Sequence, residues 1–230
     1  YKAVRKAVPD ADIMQTYYIN RRPEAFEGVV KTWCAITSVL DDDFRRERQA
    51  AGDTFWTYVC CGPTPPWANF FMDQPAAAHR ALFWQAFQHE VTGLLYWQTV
   101  YWHGNFPKAA GDPRFPAVAW SMEQAATYRE FKVAGDGWLL YPGPNGEPLS
   151  SVRLENIRDG IEDYECLALL RERLAAAKKR KGTPKQLLAD AERELAVDPR
   201  VSRDWTRYAT DPEAIAAARE RVSALIERLE

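Results

Sequence analysis

The sequence predicts an α/β fold built on a parallel sheet, and two observations carry that prediction. Along residues 1–100, short apolar segments rich in β-branched and aromatic residues alternate with helical segments, as in successive βα units. The strand segments are nearly continuous apolar runs, which is typical of strands covered on both faces. Four such units are too few to close an eight-stranded barrel. They therefore form either a small open sheet or the second half of a barrel.

Local sequence patterns predict each strand and helix of residues 1–100 in turn. The predicted strands are Asp12–Tyr18, Val29–Thr37, Thr54–Cys61 and Gly93–Thr99. The predicted helices are a helix end at Tyr1–Val8, then Asp41–Ala51 and Pro75–Glu90. The second helix starts with acidic residues that cap free N–H groups, and Gly52 ends it. The third carries Ala78, Leu82 and Ala86 at helical spacing.

The rest of the chain becomes increasingly helical. Gly104–Ala134 is a long irregular connection whose aromatic residues predict an ordered, packed loop. A short strand at Gly137–Tyr141 follows it. The predicted helices are Val152–Leu174, Thr183–Ala196 and Pro212–Leu229, the last two with a clear apolar stripe. We therefore divide the chain into a barrel-like region, residues 1–174, and a helical extension, residues 175–230, that packs on it.

Composition and motifs exclude several classes of function. With 30 basic and 32 acidic residues, the net charge of −2 argues against a nucleic-acid or anionic-membrane partner. Thr54–Met72 and Val91–Pro107 lack formal charge, but their prolines and polar side chains argue against membrane spans. No GxSxG, HExxH, P-loop or GxGxxG motif occurs, and the cysteines lack metal-ligand spacing. We therefore predict no metal and no cofactor.

Aromatic residues cluster where the predicted strands end, and eight of the nine tryptophans lie between Trp33 and Trp138. In a parallel βα barrel, binding and chemistry occur at the carboxyl ends of the strands. Tryptophan and tyrosine faces suit the apolar C–H faces of sugar rings. The alternative is that these rings fill the core, as aromatic residues often do.

Other polar groups have a structural and a functional interpretation. Asp41-Asp42-Asp43 follows the second strand, and we favour a helix cap over a catalytic acid. His103 follows the fourth strand and is a candidate to face the pocket, whereas His79 and His89 lie on a helix.

Two further groups complete the candidates. Glu162, Asp163 and Glu165 are predicted to form a structural ion network with Arg153 and Arg158. Cys60-Cys61 is a vicinal pair in an apolar run. We favour two small buried side chains there over a vicinal disulfide or a reactive thiol.

Three segments, Phe55–Asn69, Gly93–Trp102 and Gly135–Tyr164, resemble a known family. They are similar to the C-terminal part of the catalytic domain of glycoside hydrolase family 123 and its DUF4091 relatives. The last segment, with its GDG–YPG turn and SSVRLENIRDGIEDYE run, is the most specific, and the resemblance covers most of residues 1–170. It implies the C-terminal half of a (β/α)8 TIM-like barrel and a β-N-acetylgalactosaminidase-like activity.

The resemblance also implies a mechanism that this chain does not complete. Enzymes of the family are thought to use substrate-assisted retention, in which the 2-acetamido oxygen of the sugar attacks the anomeric carbon. An adjacent Asp-Glu pair orients that group and supplies the acid. In the family, this pair lies at the end of a barrel strand that precedes the matching segments. The resemblance therefore implies a pair upstream of Tyr1, in a missing N-terminal half, and no such pair stands at a strand end here. The sequence leaves the location of the parent protein open, with a secreted or periplasmic protein as one alternative.

We expect this chain to hold the aromatic half of a carbohydrate pocket and no catalytic residue. The predicted pocket residues are Tyr17, Trp33, Trp56, Tyr58, Asn69, Tyr96, Trp97 and Trp102. Tyr58 or Tyr96 is the candidate to hold the acetamido group. A non-catalytic carbohydrate-binding protein and a purely structural module are the two alternatives.

Overall fold

A four-stranded parallel sheet lies at the centre of the described residues. The structure, a computed structural model, describes residues 2–19, 26–100, 134–142 and 147–230. The strands are β1 (Met14–Tyr17), β2 (Thr32–Ile36), β3 (Thr54–Val59) and β4 (Gly93–Tyr96), hydrogen-bonded in that order. Each pair is parallel. The α/β prediction is confirmed, and the arrangement is consistent with half of a TIM-like barrel.

Helices and two small hairpins make up the other regular elements of the described residues. The helices are α1 (Lys2–Ala7), α2 (Asp42–Ala50), α3 (Ala76–Gln88), α4 (Val152–Ala177), α5 (Lys185–Leu195) and α6 (Pro212–Leu229). The hairpins pair β5 (Leu140–Pro142) with β6 (Pro148–Ser150), and β7 (Ser202–Asp204) with β8 (Arg207–Tyr208). The β7–β8 hairpin is absent from the sequence prediction. None of the helices in the described ranges combines the length and apolar character that a membrane crossing requires.

The register of the sheet separates its side chains into two faces. Trp33 lies beside Phe55, and this row packs with Phe44 of α2 in a buried cluster. On the opposite face, Cys34 lies beside Trp56, and Tyr58 lies beside Leu95. Side chains alternate along a strand, so one face is buried under helices. We call the other, which includes Trp56 and Tyr58, the inner face.

Helix α2 begins as its sequence predicts. The Asp41 carboxylate accepts hydrogen bonds from the backbone N–H groups of Asp43 and Phe44, each at 2.9 Å. The cap satisfies two of the donors that a helix N-terminus leaves open. Asp42 binds His89 at the end of α3 instead, with Nδ1 to carboxylate oxygen at 3.0 Å. The acidic triplet therefore holds two helices in place.

The helical extension packs on α3 and α4 through one apolar cluster. Trp84 and Phe87 of α3 meet Leu167 of α4 there, with Ile215 and Val222 of α6. Helix α4 runs without a break to Ala177, three residues beyond the predicted end of the barrel-like region. The division of the chain at residue 174 remains a prediction.

The acidic cluster of α4 has some of its predicted partners: Glu162 pairs with Arg158 as predicted, whereas Asp163 binds other residues. Asp163 is fully buried, and its carboxylate accepts hydrogen bonds from Arg80, Arg219 and Trp84. Arg158 pairs with exposed Glu155, Asp159 and Glu162 on the surface. The predicted network therefore consists of a buried centre that joins three helices and a separate surface group.

Candidate functional site

The inner face of the sheet carries a cleft of about 290 Å³ with mostly apolar walls. The lining residues are Thr16, Tyr58, Cys60, Cys61, Leu95, Trp97 and Asp136. They come from β1, β3 and β4, or lie just after β3 and β4, together with a loop that precedes β5. The cleft therefore lies at the carboxyl ends of parallel strands, where α/β barrels place their functional groups.

Asp136 joins the two aromatic residues at the end of β4. Its side chain is fully buried, and Oδ1 accepts hydrogen bonds from the Trp97 indole N–H at 2.8 Å and the Tyr96 hydroxyl at 3.1 Å. The Tyr96 hydroxyl in turn accepts the N–H of Gly137 at 2.7 Å. Burial raises the pKa of the Asp136 carboxyl, although the two aromatic donors and Arg153 favour its ionised form.

Arg153 of α4 anchors the loop that carries Asp136. One guanidinium nitrogen donates to the carbonyls of Phe70 and Gly135, each at 2.7 Å. The other donates to the carbonyl of Trp138 and to the Tyr141 hydroxyl. A buried arginine that satisfies several backbone carbonyls fixes the loop, because each unmade bond would leave a buried polar group. Helix α4 thereby positions one wall of the cleft.

Two of the predicted pocket residues, Tyr58 and Trp97, line the cleft directly. The Trp97 side chain is 37% exposed, and burial raises the pKa of Tyr58 to about 12, so its phenol is neutral at pH 7. Tyr96 contributes through its bond to Asp136. Trp56 lies on the inner face too, and its ring occupies the space above Gly93, where a Cβ atom would lie 2.4 Å from the indole.

Three predicted pocket residues lie elsewhere in the described structure. Trp33 is fully buried, and its indole donates to Asp53 at 3.0 Å. Tyr17 packs against the same buried cluster. Asn69 is fully buried too, and its amide nitrogen donates to the carbonyls of Cys60 and Pro63, each at 3.0 Å. These side chains shape the sheet and the loop behind the cleft.

Trp102 and His103 lie outside the described residues. Sequence reasoning missed Thr16, Leu95 and, above all, Asp136 as residues of the cleft. The signal for Asp136 in the sequence is the GDG turn of the segment that resembles the family.

The arrangement suits recognition of a sugar more directly than its hydrolysis. Tyr58 and Trp97 offer aromatic surface, and Thr16 and Asp136 are polar residues in the same lining. Among the described lining residues, Asp136 is the one carboxylate. Glycosidases commonly need a pair of carboxyl groups around the scissile bond.

Comparison with known proteins agrees with the geometry. No curated protein gives a significant match to the chain. The family model described as the glycoside hydrolase 123 catalytic domain matches residues 1–170. That span includes all four parallel strands and every lining residue of the cleft. The chain therefore belongs to the glycoside hydrolase 123 catalytic-domain family.

Proposed function

We propose that the chain supplies the sugar-binding half of a glycoside hydrolase catalytic domain that acts on β-linked N-acetylhexosaminides, with N-acetylgalactosamine as the preferred sugar. One observation carries this proposal. Trp97, Tyr58 and the buried Asp136 meet at the carboxyl ends of β3 and β4, around an open, mostly apolar cleft. An aromatic wall with polar groups at its edge is what a pyranose ring requires.

The reaction that we propose is substrate-assisted hydrolysis with retention. The carbonyl oxygen of the 2-acetamido group attacks the anomeric carbon and the glycosidic bond breaks, while a carboxylic acid protonates the leaving oxygen. Water then opens the cyclic oxazolinium intermediate, so the anomeric configuration is retained. The Asp-Glu pair that orients the acetamido group and supplies the proton comes from barrel strands outside this chain.

Within this reaction, the described residues bind and orient the sugar. Trp97 stacks against the apolar face of the ring, and Asp136 fixes the indole through its N–H. Tyr58 is the better candidate for the acetamido group, because it lines the cleft while the hydroxyl of Tyr96 binds Asp136 and Gly137. A neutral phenol is a hydrogen-bond donor to a carbonyl oxygen.

A second candidate function is carbohydrate binding without hydrolysis. It is favoured by the single carboxylate among the described lining residues, whose Oδ1 accepts bonds from two aromatic side chains. In that case the same cleft recognises the same sugar, and no partner segment supplies an acid.

The test is hydrolysis of an aryl β-N-acetylgalactosaminide by a protein that holds this chain within a complete catalytic domain. We expect release of the aryl group with retained configuration, observed by NMR of the first-formed anomer. We expect a rate about 100-fold or more lower for the galactoside that lacks the acetamido group, because an intramolecular nucleophile is lost. Inversion, or equal rates on both substrates, would contradict the mechanism. Sugar binding without release would favour the second candidate.

A further inference from the structure

Cys60 and Cys61 place two sulfur atoms side by side in the wall of the cleft. Both thiols are free and half-buried, and their Sγ atoms lie 3.8 Å apart. Consecutive residues of a regular strand point to opposite faces, but these two follow the end of β3 at Val59. The backbone is held there, since the N–H of Cys60 donates to the Gly62 carbonyl at 2.8 Å and its carbonyl accepts from Asn69.

The separation of the sulfurs suits two bonds to one shared atom. Two sulfurs, each about 2.3 Å from a common centre, lie about 3.8 Å apart at a tetrahedral angle. At the smaller angle of a pyramidal three-coordinate centre, about 100°, they lie about 3.5 Å apart, and a small rotation of either side chain covers the difference. A direct disulfide fits less well, because consecutive Cα atoms are about 3.8 Å apart and disulfides usually join Cα atoms about 4.4–6.8 Å apart.

The number of protein side chains available as ligands limits which kind of metal or metalloid atom can bind the two sulfurs. In the part of the chain that the structure describes, no group of three or more His, Cys, Asp or Glu side chains is placed to hold a metal ion. A four-coordinate metal such as Zn²⁺ therefore lacks the protein ligands that it usually takes. A three-coordinate atom that already carries one organic substituent needs only the two sulfurs as protein ligands.

We propose that Cys60 and Cys61 form a two-thiol site that chelates a thiophilic three-coordinate centre, monosubstituted arsenic(III), inside the cleft. With an organic arsenoxide, two As–S bonds form and the As=O bond breaks. The oxygen leaves as water with the two thiol protons. Arsenic stays in the +3 state, so no oxidant or reductant is consumed.

The two thiols have different parts in this reaction. The hydrogen bond between the two sulfurs lowers the pKa of the Cys60 thiol and raises that of the Cys61 thiol. The thiolate is the form that attacks, so Cys60 forms the first As–S bond. Cys61 closes the ring in the second step. The organic substituent on arsenic then lies in the cleft, between Tyr58 and Trp97.

Phenylarsine oxide and the chain itself provide the test, with no sugar involved, so its outcome is separate from that of the proposed function. By intact mass, we expect a one-to-one adduct that survives a large excess of 2-mercaptoethanol and is released by 2,3-dimercaptopropanol. Cys60→Ser and Cys61→Ser should each lose this resistance to the monothiol. Cys166→Ser, which removes a half-buried lone thiol, should retain it.

A measurement on the wild-type chain tests the proposal even if the variants fail to fold. After treatment with phenylarsine oxide, alkylation and peptide mapping should show Cys60 and Cys61 protected and Cys166 modified. The proposal is overturned if 2-mercaptoethanol strips the wild-type adduct, if Cys60→Ser keeps a resistant adduct, or if the protected thiol is Cys166.

Discussion

At the scale of single residues, the cleft depends on one buried carboxylate. Asp136 accepts from Tyr96 and Trp97 through the same oxygen, so one side chain sets the positions of two aromatic rings. Its burial penalises the charged form and raises its pKa. An acid with a raised pKa in the folded state makes folding less favourable as it ionises.

This gives a prediction for the pH dependence of stability. The folded pKa of Asp136 lies above the unfolded value of about 3.9. The stabilisation that the protonated carboxyl gives to the folded state is therefore fully present below about pH 3.9, and it is lost as pH rises through the folded pKa. Asp136→Asn keeps an acceptor oxygen and removes the charge. In urea unfolding between pH 4 and pH 8, the variant should gain stability relative to wild type as pH rises, by at most about 1.4 kcal/mol per pH unit. A difference that stays constant, or grows towards acid pH, would contradict this account.

At the scale of elements, the contact between α3 and α4 explains much of the segment that resembles the family. A Cβ atom on Gly160 would lie 2.3 Å from the ring of Phe83 on α3, so only glycine permits this approach. Three residues of the same helix hold other parts of the fold. Arg153 binds the loop of Asp136, Asp163 binds arginines of α3 and α6, and the Tyr164 hydroxyl donates to the Val91 carbonyl at 3.1 Å. The SSVRLENIRDGIEDYE motif, which contains these residues, therefore has a structural role.

Gly160→Ala tests this helix contact. Alanine is the better helix former by about 1 kcal/mol, so propensity alone predicts a gain in stability. We expect the clash with Phe83 to cost about 3 kcal/mol, the upper part of the range for overpacked cores. The free energy of unfolding should therefore fall by about 2 kcal/mol. Glu162→Ala, an exposed change on the same helix, is the control and should stay within about 0.5 kcal/mol of wild type. Equal or higher stability of Gly160→Ala would show that the helices can separate freely.

At the scale of the whole molecule, Asp163 ties the sheet-covering helices to the helical extension. It is fully buried, and its partners Arg80 and Arg219 come from α3 and α6. Removing one member of a buried ion pair leaves the other charges poorly compensated. The predicted barrel-like region and its extension therefore share one electrostatic centre as well as one apolar cluster.

Asp163→Ala should destabilise the molecule as a unit. We expect a loss of about 3 kcal/mol, at the lower end for buried pairs because both arginines are partly exposed. Asp159→Ala removes a surface partner of Arg158 and should cost at most about 1 kcal/mol. Thermal unfolding followed by tryptophan fluorescence and by far-UV circular dichroism should show one shared, lowered midpoint. Two separate transitions in the variant or in wild type would indicate that the extension unfolds independently.

The sequence predicted the order of strands and helices well, because β-branched runs, caps and apolar stripes are local signals. It placed the end of α2 and both amphipathic helices of the extension within a few residues. The direction in which a side chain points is harder to predict from sequence. Trp33 and Trp56 look alike in sequence, yet the strand register places the first under α2 and the second on the inner face. Asp136 was missed because its aromatic partners lie some 40 residues away in the chain.

Sugar binding at Trp97 tests the central claim most directly. Calorimetric titration with N-acetylgalactosamine should give binding to the wild-type protein and about 10-fold weaker binding to Trp97→Ala, since a stacking ring is worth about 1.4 kcal/mol. Trp205→Phe changes a tryptophan that stacks on His89, away from the cleft, and should bind as wild type does. Unchanged affinity in Trp97→Ala, with its fold intact by circular dichroism, would contradict the assignment of this cleft as the sugar site.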